Sequence, residues 1–273
     1  MNKINKPAIW IGAIMVTWAL LAAGIFMLGA GQRNAAIGPE QRDAMETVVR
    51  DYLLKNPAVI RDAMQALQVR EDGEKEQRAA LLLKRHQTQL LQDPRSPVGG
   101  NPNGDITVVE FFDYNCGYCK KAAPALEALL ASDAMVRVVY KEFPILSPQS
   151  AVAATAALAA GRQGKYAAFH SGLMALEQLD DGGIIALAKK LGLNMVAFEK
   201  DRKDPVFAGQ LVINQKLATE LELSGTPAFV VGGRLIPGAL DTQALAAIVN
   251  EERAKQRAAG GQAAAGAADN KTK

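Results

Sequence analysis

The sequence predicts an α/β chain: a small sheet interrupted by a long helical block, with a separate helical arm ahead of it. Three observations predict this. The only two cysteines, Cys116 and Cys119, stand where an apolar strand pattern gives way to a helical one. Strand signals then lapse between Tyr140 and Ala228 while helical periodicity persists. The composition, 49% hydrophobic and 22% charged over 273 residues, is globular and large enough for more than one domain. A net charge of +3 and the lack of a basic stripe interleaved with aromatics argue against a nucleic-acid partner. No glycine loop of the phosphate-cradling kind and no internal repeat occur, and no cofactor is expected.

Residues Ala8 to Ala30 carry no charged side chain, and Lys3 and Lys6 precede them. A helix of that length reaches about 34 Å, against a hydrocarbon core of about 30 Å. Residues 1–37 are therefore expected to be a signal anchor or transmembrane segment, with the basic end in the cytoplasm and the rest outside it. A cleaved signal peptide is the alternative, since Gly29-Ala30-Gly31 offers small residues. The apolar run exceeds the usual signal h-region of about 7–15 residues, which favours an uncleaved anchor. Either way the cysteines meet an oxidising compartment. The expected location is the periplasm, anchored to the inner membrane through residues 8–30.

Residues 38–92 read as a helical arm. Pro39 suits a first helical position, and Met45, Val48, Val49, Tyr52 and Leu53 make one apolar stripe. Asn56-Pro57 ends that helix and opens another, striped by Ile60, Ala63, Met64 and Leu67. A third helical segment, from about Glu74 to Leu91, carries leucines amid charges. These helices are too short and charged for a core of their own, so the stripes pack on the main domain or on other copies. Residues 93–104, rich in Pro and Gly, read as a linker that separates the arm from the domain. That separation favours a homo-oligomer built through the arm over decoration of the chain's own domain.

The domain proper is expected over residues 105–253. Ile106 to Asp113 is a strand apolar on both faces, hence central in a covered sheet. Glu110 interrupts it, either as a buried carboxyl or as a solvent-facing residue on an edge strand. If buried, desolvation raises its pKa and suits it to exchange a proton with Cys119. Cys116 falls at the start of the following helix, where free N–H groups and the dipole favour a thiolate. Only a thiolate attacks a disulfide, and Cys119, one turn later, can resolve the mixed disulfide. Pro124 lies inside this helix as an expected kink.

A second strand, Met135 to Tyr140, follows, then a helical block over about 146–223 in which His170 is expected to be a packed helix residue rather than a ligand. Ala228–Val231, a Gly232-Gly233 turn and Leu235–Pro237 make a hairpin, and Thr242–Arg253 a last helix. Residues 254–273, small and charged, are expected to be disordered. The order β, α, β, helical block, hairpin, α is that of a thioredoxin fold with an inserted helical domain. In it Thr226-Pro227 falls where such a fold puts its cis-proline loop, facing the cysteines. A cis bond there exposes the preceding backbone for pairing with a substrate strand.

Other readings of the Cys-x-x-Cys pair are weaker. Zinc wants about four ligands. His86 and His170 lie far apart, without paired-histidine spacing. A structural disulfide closing so short a loop removes little unfolded-state entropy. Asn115, Gly117 and Lys120 beside the cysteines do not read as core around inert thiols. No metal is therefore expected.

With Glu110-Phe111-Phe112 ahead of Cys116-Gly117-Tyr118-Cys119, Pro124 beyond it, and Gly225-Thr226-Pro227, the chain resembles the DsbA-like family of periplasmic thiol–disulfide oxidoreductases over about residues 106–253. It is most similar to the ScsC-type (suppressor of copper sensitivity) branch, some members of which oligomerise through an N-terminal helical arm. The resemblance implies Cys116 as nucleophile, Cys119 as resolving thiol, Glu110 as buried acid, Pro227 as cis-proline and Thr226 as the residue before it. It also implies exported, cysteine-containing proteins as substrates and a membrane redox partner.

The departures from the family archetype bear on direction. The archetypal oxidase has Pro-His between its cysteines and valine before the cis-proline. Gly117-Tyr118 with Thr226 is instead the combination of the dimeric isomerase DsbC. Tyr118 offers no cation to a neighbouring thiolate, so the disulfide should be less oxidising, which favours isomerase or reductase use. A dithiol oxidase is the alternative within the class. A Cu(I)-binding protein is the alternative outside it, though no methionine- or histidine-rich tract supports that.

Overall fold

The computed structural model describes residues 38–269, with side chains to residue 259. The expected anchor at 8–30 lies outside the described residues. Among those described, no helix is long and apolar enough to cross a membrane. The chain divides into two compact units at Val69–Arg70.

The first unit holds α1 (Pro39–Lys55) and the opening turns of α2 (Ala58–Arg85). Gly38 caps α1 through its backbone, its N–H on Gln41 Oε1 at 3.3 Å. Asn56 ends the helix, its side-chain amide donating to the Tyr52 carbonyl at 2.9 Å. Asn56 thus terminates one helix rather than capping the next. No residue of α1 is buried. Met45, Val49, Leu53, Leu54 and Ile60 line an open apolar pocket of about 600 Å³.

The expected break near Glu74 is missing, and α2 runs on to Arg85. Gly73 has open space around it, and one helical glycine costs only about 1 kcal/mol, too little to stop a long helix. The division between units therefore falls inside α2, not at the Pro- and Gly-rich stretch. The end of α2 and the short α3 (Gln87–Leu91) bury Leu83 and Leu90 against the sheet.

Residues 93–104, expected as a linker, contain strand β1 (Val98–Gly100), which pairs antiparallel with β3 (Val136–Glu142). The glycines that suggested a linker are what let this strand close. A Cβ on Gly99 would stand 2.8 Å from the Tyr140 ring, and Gly100 has φ +67 with the Val136 carbonyl 2.5 Å from where its Cβ would sit. Asp93 and Ser96 are held as well, by the fully buried Lys141. Its ammonium donates to Ser96 Oγ at 2.7 Å and to the Gln89 carbonyl at 2.6 Å, with Asp93 Oδ2 at 3.5 Å.

The sheet runs β1-β3-β2-β4-β5, with β2 (Ile106–Phe112) at its centre, β4 (Ala228–Val231) and β5 (Arg234–Pro237). Only β2 and β3 are parallel. Strand alternation splits β2 between two cores. Ile106, Val108 and Phe112 face α4 (Gly117–Ser132) and the inserted helices, while Val109 and Phe111 pack with Leu83, Leu90, Leu217 and Leu221.

The insert comprises α5 (Pro148–Arg162), α6 (Tyr166–Met174), α7 (Asp181–Lys190), α8 (Met195–Asp201) and α9 (Pro205–Glu220). Ser147, Asp180, Asn194 and Asp204 cap four of these, each accepting a backbone N–H of the first turn. Most alanines of α5 are buried, since small side chains allow helices to approach closely.

The last helix, α10 (Thr242–Asp269), corrects the expected disordered tail. Leu245 and Val249 dock its first half in the core, and Arg253 bonds Asp105 and Asp133, each at 2.8 Å. Arg257 adds a contact to Asp105 at 3.0 Å. Nucleation is thus settled upstream, and an alanine-rich continuation extends such a helix readily.

Candidate active site

β2 is covered on both sides and stops where Asp113 turns the chain. The Asp113 carboxylate, 1% exposed, accepts the backbone N–H groups of Asn115 at 2.7 Å, Ile145 at 2.8 Å and Leu146 at 2.9 Å. One side chain thus fixes both the loop before α4 and the loop after β3. The turn closes with the Cys116 N–H on the Asp113 carbonyl at 3.0 Å.

Cys116 is the N-cap of α4, in extended conformation, and its carbonyl accepts the Lys120 N–H at 3.1 Å. Both cysteines are free thiols. Cys116 is only 5% exposed, more enclosed than a position flanked by exposed Gly117 and Tyr118 suggests. The enclosure comes from Thr226, whose carbonyl accepts the Cys116 thiol at 3.2 Å. Cys119 is fully buried one turn deeper, and burial pushes its thiol well above the ordinary range. The two sulfurs are thus unlike. One lies at the rim under a carbonyl, and the other is held protonated inside.

The Thr226-Pro227 bond is cis, as the sequence implied. Pro227 is buried and its carbonyl accepts the Gly238 N–H at 2.8 Å, which ties the loop to the end of β5.

Glu110 sits mid-β2 between Tyr140 on β3 and Phe229 on β4. It is 1% exposed, and neither carboxyl oxygen meets a hydrogen-bond partner among the described residues. The edge-strand alternative is thereby overturned. Burial pushes its pKa up to about 8, so near neutral pH it holds a proton it can exchange. Alternation places it on the β2 face that carries Val108 and Phe112, in the compartment shared with Cys119.

Sequence reasoning missed a second polar cluster. Glu142, at the end of β3, accepts hydrogen bonds from the hydroxyls of Tyr114 at 3.0 Å and Tyr166 at 2.7 Å. His170, expected only to pack, is buried with Nδ1 3.0 Å from the Tyr114 hydroxyl. The available signal was strand parity. Extending the second strand by two residues puts Glu142 on the Tyr140 face. Among the described residues no group of three or more Cys, His, Asp or Glu side chains is placed to hold a metal ion.

The comparisons with known proteins agree with this architecture. Residues 107–250 match the family described as DSBA-like thioredoxin domain, and residues 41–72 match the copper resistance protein ScsC N-terminal domain. A thioredoxin-like oxidoreductase from Silicibacter pomeroyi is 42% identical, covering 61% of this chain and 96% of its own, with a TM-score of 0.59. Proteus mirabilis ScsC in a transitional conformation is 32% identical, covering 80% of this chain and 100% of its own, with a TM-score of 0.60. Among curated proteins, the Na(+)/H(+) antiporter NhaA 3 of Salinispora tropica is 34% identical over 169 residues, 60% of this chain. The chain spans only 26% of that relative's length. With its central β2, its cis-proline loop over the paired cysteines and a family match across more than half its length, the chain belongs to the DSBA-like thioredoxin domain family.

Proposed function

We propose that this protein is a thiol–disulfide oxidoreductase acting on exported proteins in the periplasm, used as an isomerase or reductase. The observation that carries the reading is the contact of the Cys116 sulfur with the Thr226 carbonyl at 3.2 Å, at the head of α4 and beside the cis-proline. A substrate strand pairing at Thr226 is delivered to Cys116.

The steps balance as follows. The Cys116 thiolate attacks a substrate disulfide, one substrate sulfur leaves as a thiolate, and a mixed disulfide forms. Cys119, losing its proton to Glu110 in that carboxyl's ionised form, then attacks the Cys116 sulfur. The second substrate sulfur leaves, and the Cys116–Cys119 disulfide remains. Isomerisation follows when a different substrate cysteine thiolate attacks the mixed disulfide first, forming a new substrate pairing and releasing the Cys116 thiolate. A membrane redox partner returns the pair to the dithiol.

The exposed stripe of the arm supports self-association, which would set several Cys116 sites on one assembly. Purified protein should reshuffle scrambled disulfides in glutathione buffer, and deletion of residues 38–69 should weaken this. Intact activity after loss of Cys116 would sink the proposal. Efficient oxidation of a reduced substrate by the oxidised protein, without reshuffling of scrambled ones, would assign it to the oxidases instead.

A further inference from the structure

The cluster around Glu142 is not used by the thiol steps above. Glu142 Oε1 receives both tyrosine hydroxyls, Tyr114 at 3.0 Å and Tyr166 at 2.7 Å. A hydroxyl has one proton to give. Tyr114 gives its proton to Glu142, so at the 3.0 Å contact with His170 it must accept from Nδ1–H. Burial pushes the His170 pKa down to about 3, which keeps the ring neutral. That fixes its tautomer with the proton on Nδ1. The donors run from His170 to Tyr114 to Glu142, and Tyr166 adds a second hydroxyl at the same oxygen.

The position of this cluster matters more than its hydrogen bonds. Tyr114 lies two residues before Cys116, in the loop that Asp113 pins. His170 and Tyr166 come from α6, in the insert. Glu142 therefore joins the sheet, the inserted helices and the cysteine loop.

The groups that face it are Glu110 on β2, Asp113 and Tyr114 in the loop, Tyr140 on β3, and Tyr166 and His170 on α6. From α9, the Asn214 amide donates to the Glu142 backbone carbonyl at 3.0 Å. The neighbouring cation, Lys141, points to the opposite face, toward Gln89 and Ser96. Burial, opposed by the two tyrosines and reinforced by Asp113 and Glu110, pushes the Glu142 pKa up to about 8.

We propose that Glu142 is a positioning residue of the redox centre: through Tyr114 it holds the backbone that presents Cys116, and its charge biases the pair between dithiol and disulfide. An anionic carboxylate joined to the cysteine loop through Tyr114 disfavours a thiolate there and so favours the disulfide, whereas a protonated one leaves the pair alone. The bias therefore sets in as pH rises through the carboxyl's pKa. This inference rests on the redox reading above.

The test is a glutathione titration of the full chain from about pH 6 to about pH 9. In each measurement the S–S bond of glutathione disulfide breaks, the Cys116–Cys119 bond forms, and two protons pass to two glutathione thiols. Glu110→Gln serves as the background, so that Glu110 does not titrate, and Glu142→Gln is compared with it. The two curves should coincide at about pH 6 and separate by about pH 9, the doubly substituted chain favouring the dithiol by roughly threefold or more. Tyr166→Phe in the same background removes one donor from the carboxylate and should move the separation to higher pH. It carries the test alone if Glu142→Gln does not fold. Curves that superimpose, or stay offset by one factor at every pH, overturn the proposal. Failure of the unsubstituted chain to form the Cys116–Cys119 disulfide would instead overturn the redox reading itself.

Discussion

The two units of this chain treat apolar side chains in opposite ways. In the second, β2 and β4 are buried almost throughout, and even the polar Glu110, Glu142 and Lys141 are enclosed. In the first, Met45, Val48, Tyr52, Leu54 and Met64 are all more than half exposed. A unit that conceals carboxyls can set their proton affinity. One that displays methionine and leucine has no interior to stabilise, and its surface is suited to contact with another molecule. The contrast sets buried titratable groups in one unit against exposed apolar surface in the other, and substitutions can test what each does.

The largest effect belongs to Cys116→Ser, which should lower disulfide reshuffling by about a thousandfold or more while leaving the mass in light scattering unchanged. Cys119→Ser should instead accumulate mixed disulfides with substrate, visible on non-reducing gels. Next in size, Met45→Asp combined with Val49→Asp should yield monomers in light scattering and cut reshuffling about tenfold. The dithiol–disulfide equilibrium should not move. A change in that equilibrium would mean that the units are not chemically separate.

A smaller effect concerns stability. The folded-state pKa of Glu110 is raised to about 8, so its contribution is fully present below its unfolded value and is lost as pH rises through about 8. Melting temperature should therefore fall between about pH 5 and pH 8, and Glu110→Gln should flatten part of that slope, a gain on the order of 2 kcal/mol at the alkaline end. His170 has the opposite sign. Its stabilising neutrality is complete above its unfolded pKa and is lost as pH falls through about 3. The smallest shift is expected from Tyr118→His, which sets a titratable cation beside Cys116. It should favour the dithiol by about threefold, most strongly at acidic pH.

Much of the redox site was legible in the sequence because its parts are local. Cys116 and Cys119 are spaced by one helical turn, Glu110 breaks an otherwise apolar strand, and Thr226-Pro227 precedes a strand. What stayed hidden depends on partners remote in sequence. Val98–Gly100 reads as a linker until β3 pairs with it, because glycine signals both flexibility and close approach. Glu142 acquires meaning only when α6, from the insert, brings Tyr166 and His170 over it. The reach of α10 escaped because alanine-rich helix and disordered tail share a composition, and the docking of Arg253 on Asp105 and Asp133 decides between them.

Gly99 carries a consequence for any reshaping of the site. It belongs to the outermost strand, yet the Tyr140 ring occupies the space its side chain would need, and Tyr140 stands opposite Glu110 in the sheet register. A methyl group added at that margin would push an aromatic wedge inward against a carboxyl that has no room to give. The seating of that buried carboxyl thus depends on the clearance of a single hydrogen atom at the rim, and a library restricted to the cysteine loop would never sample it.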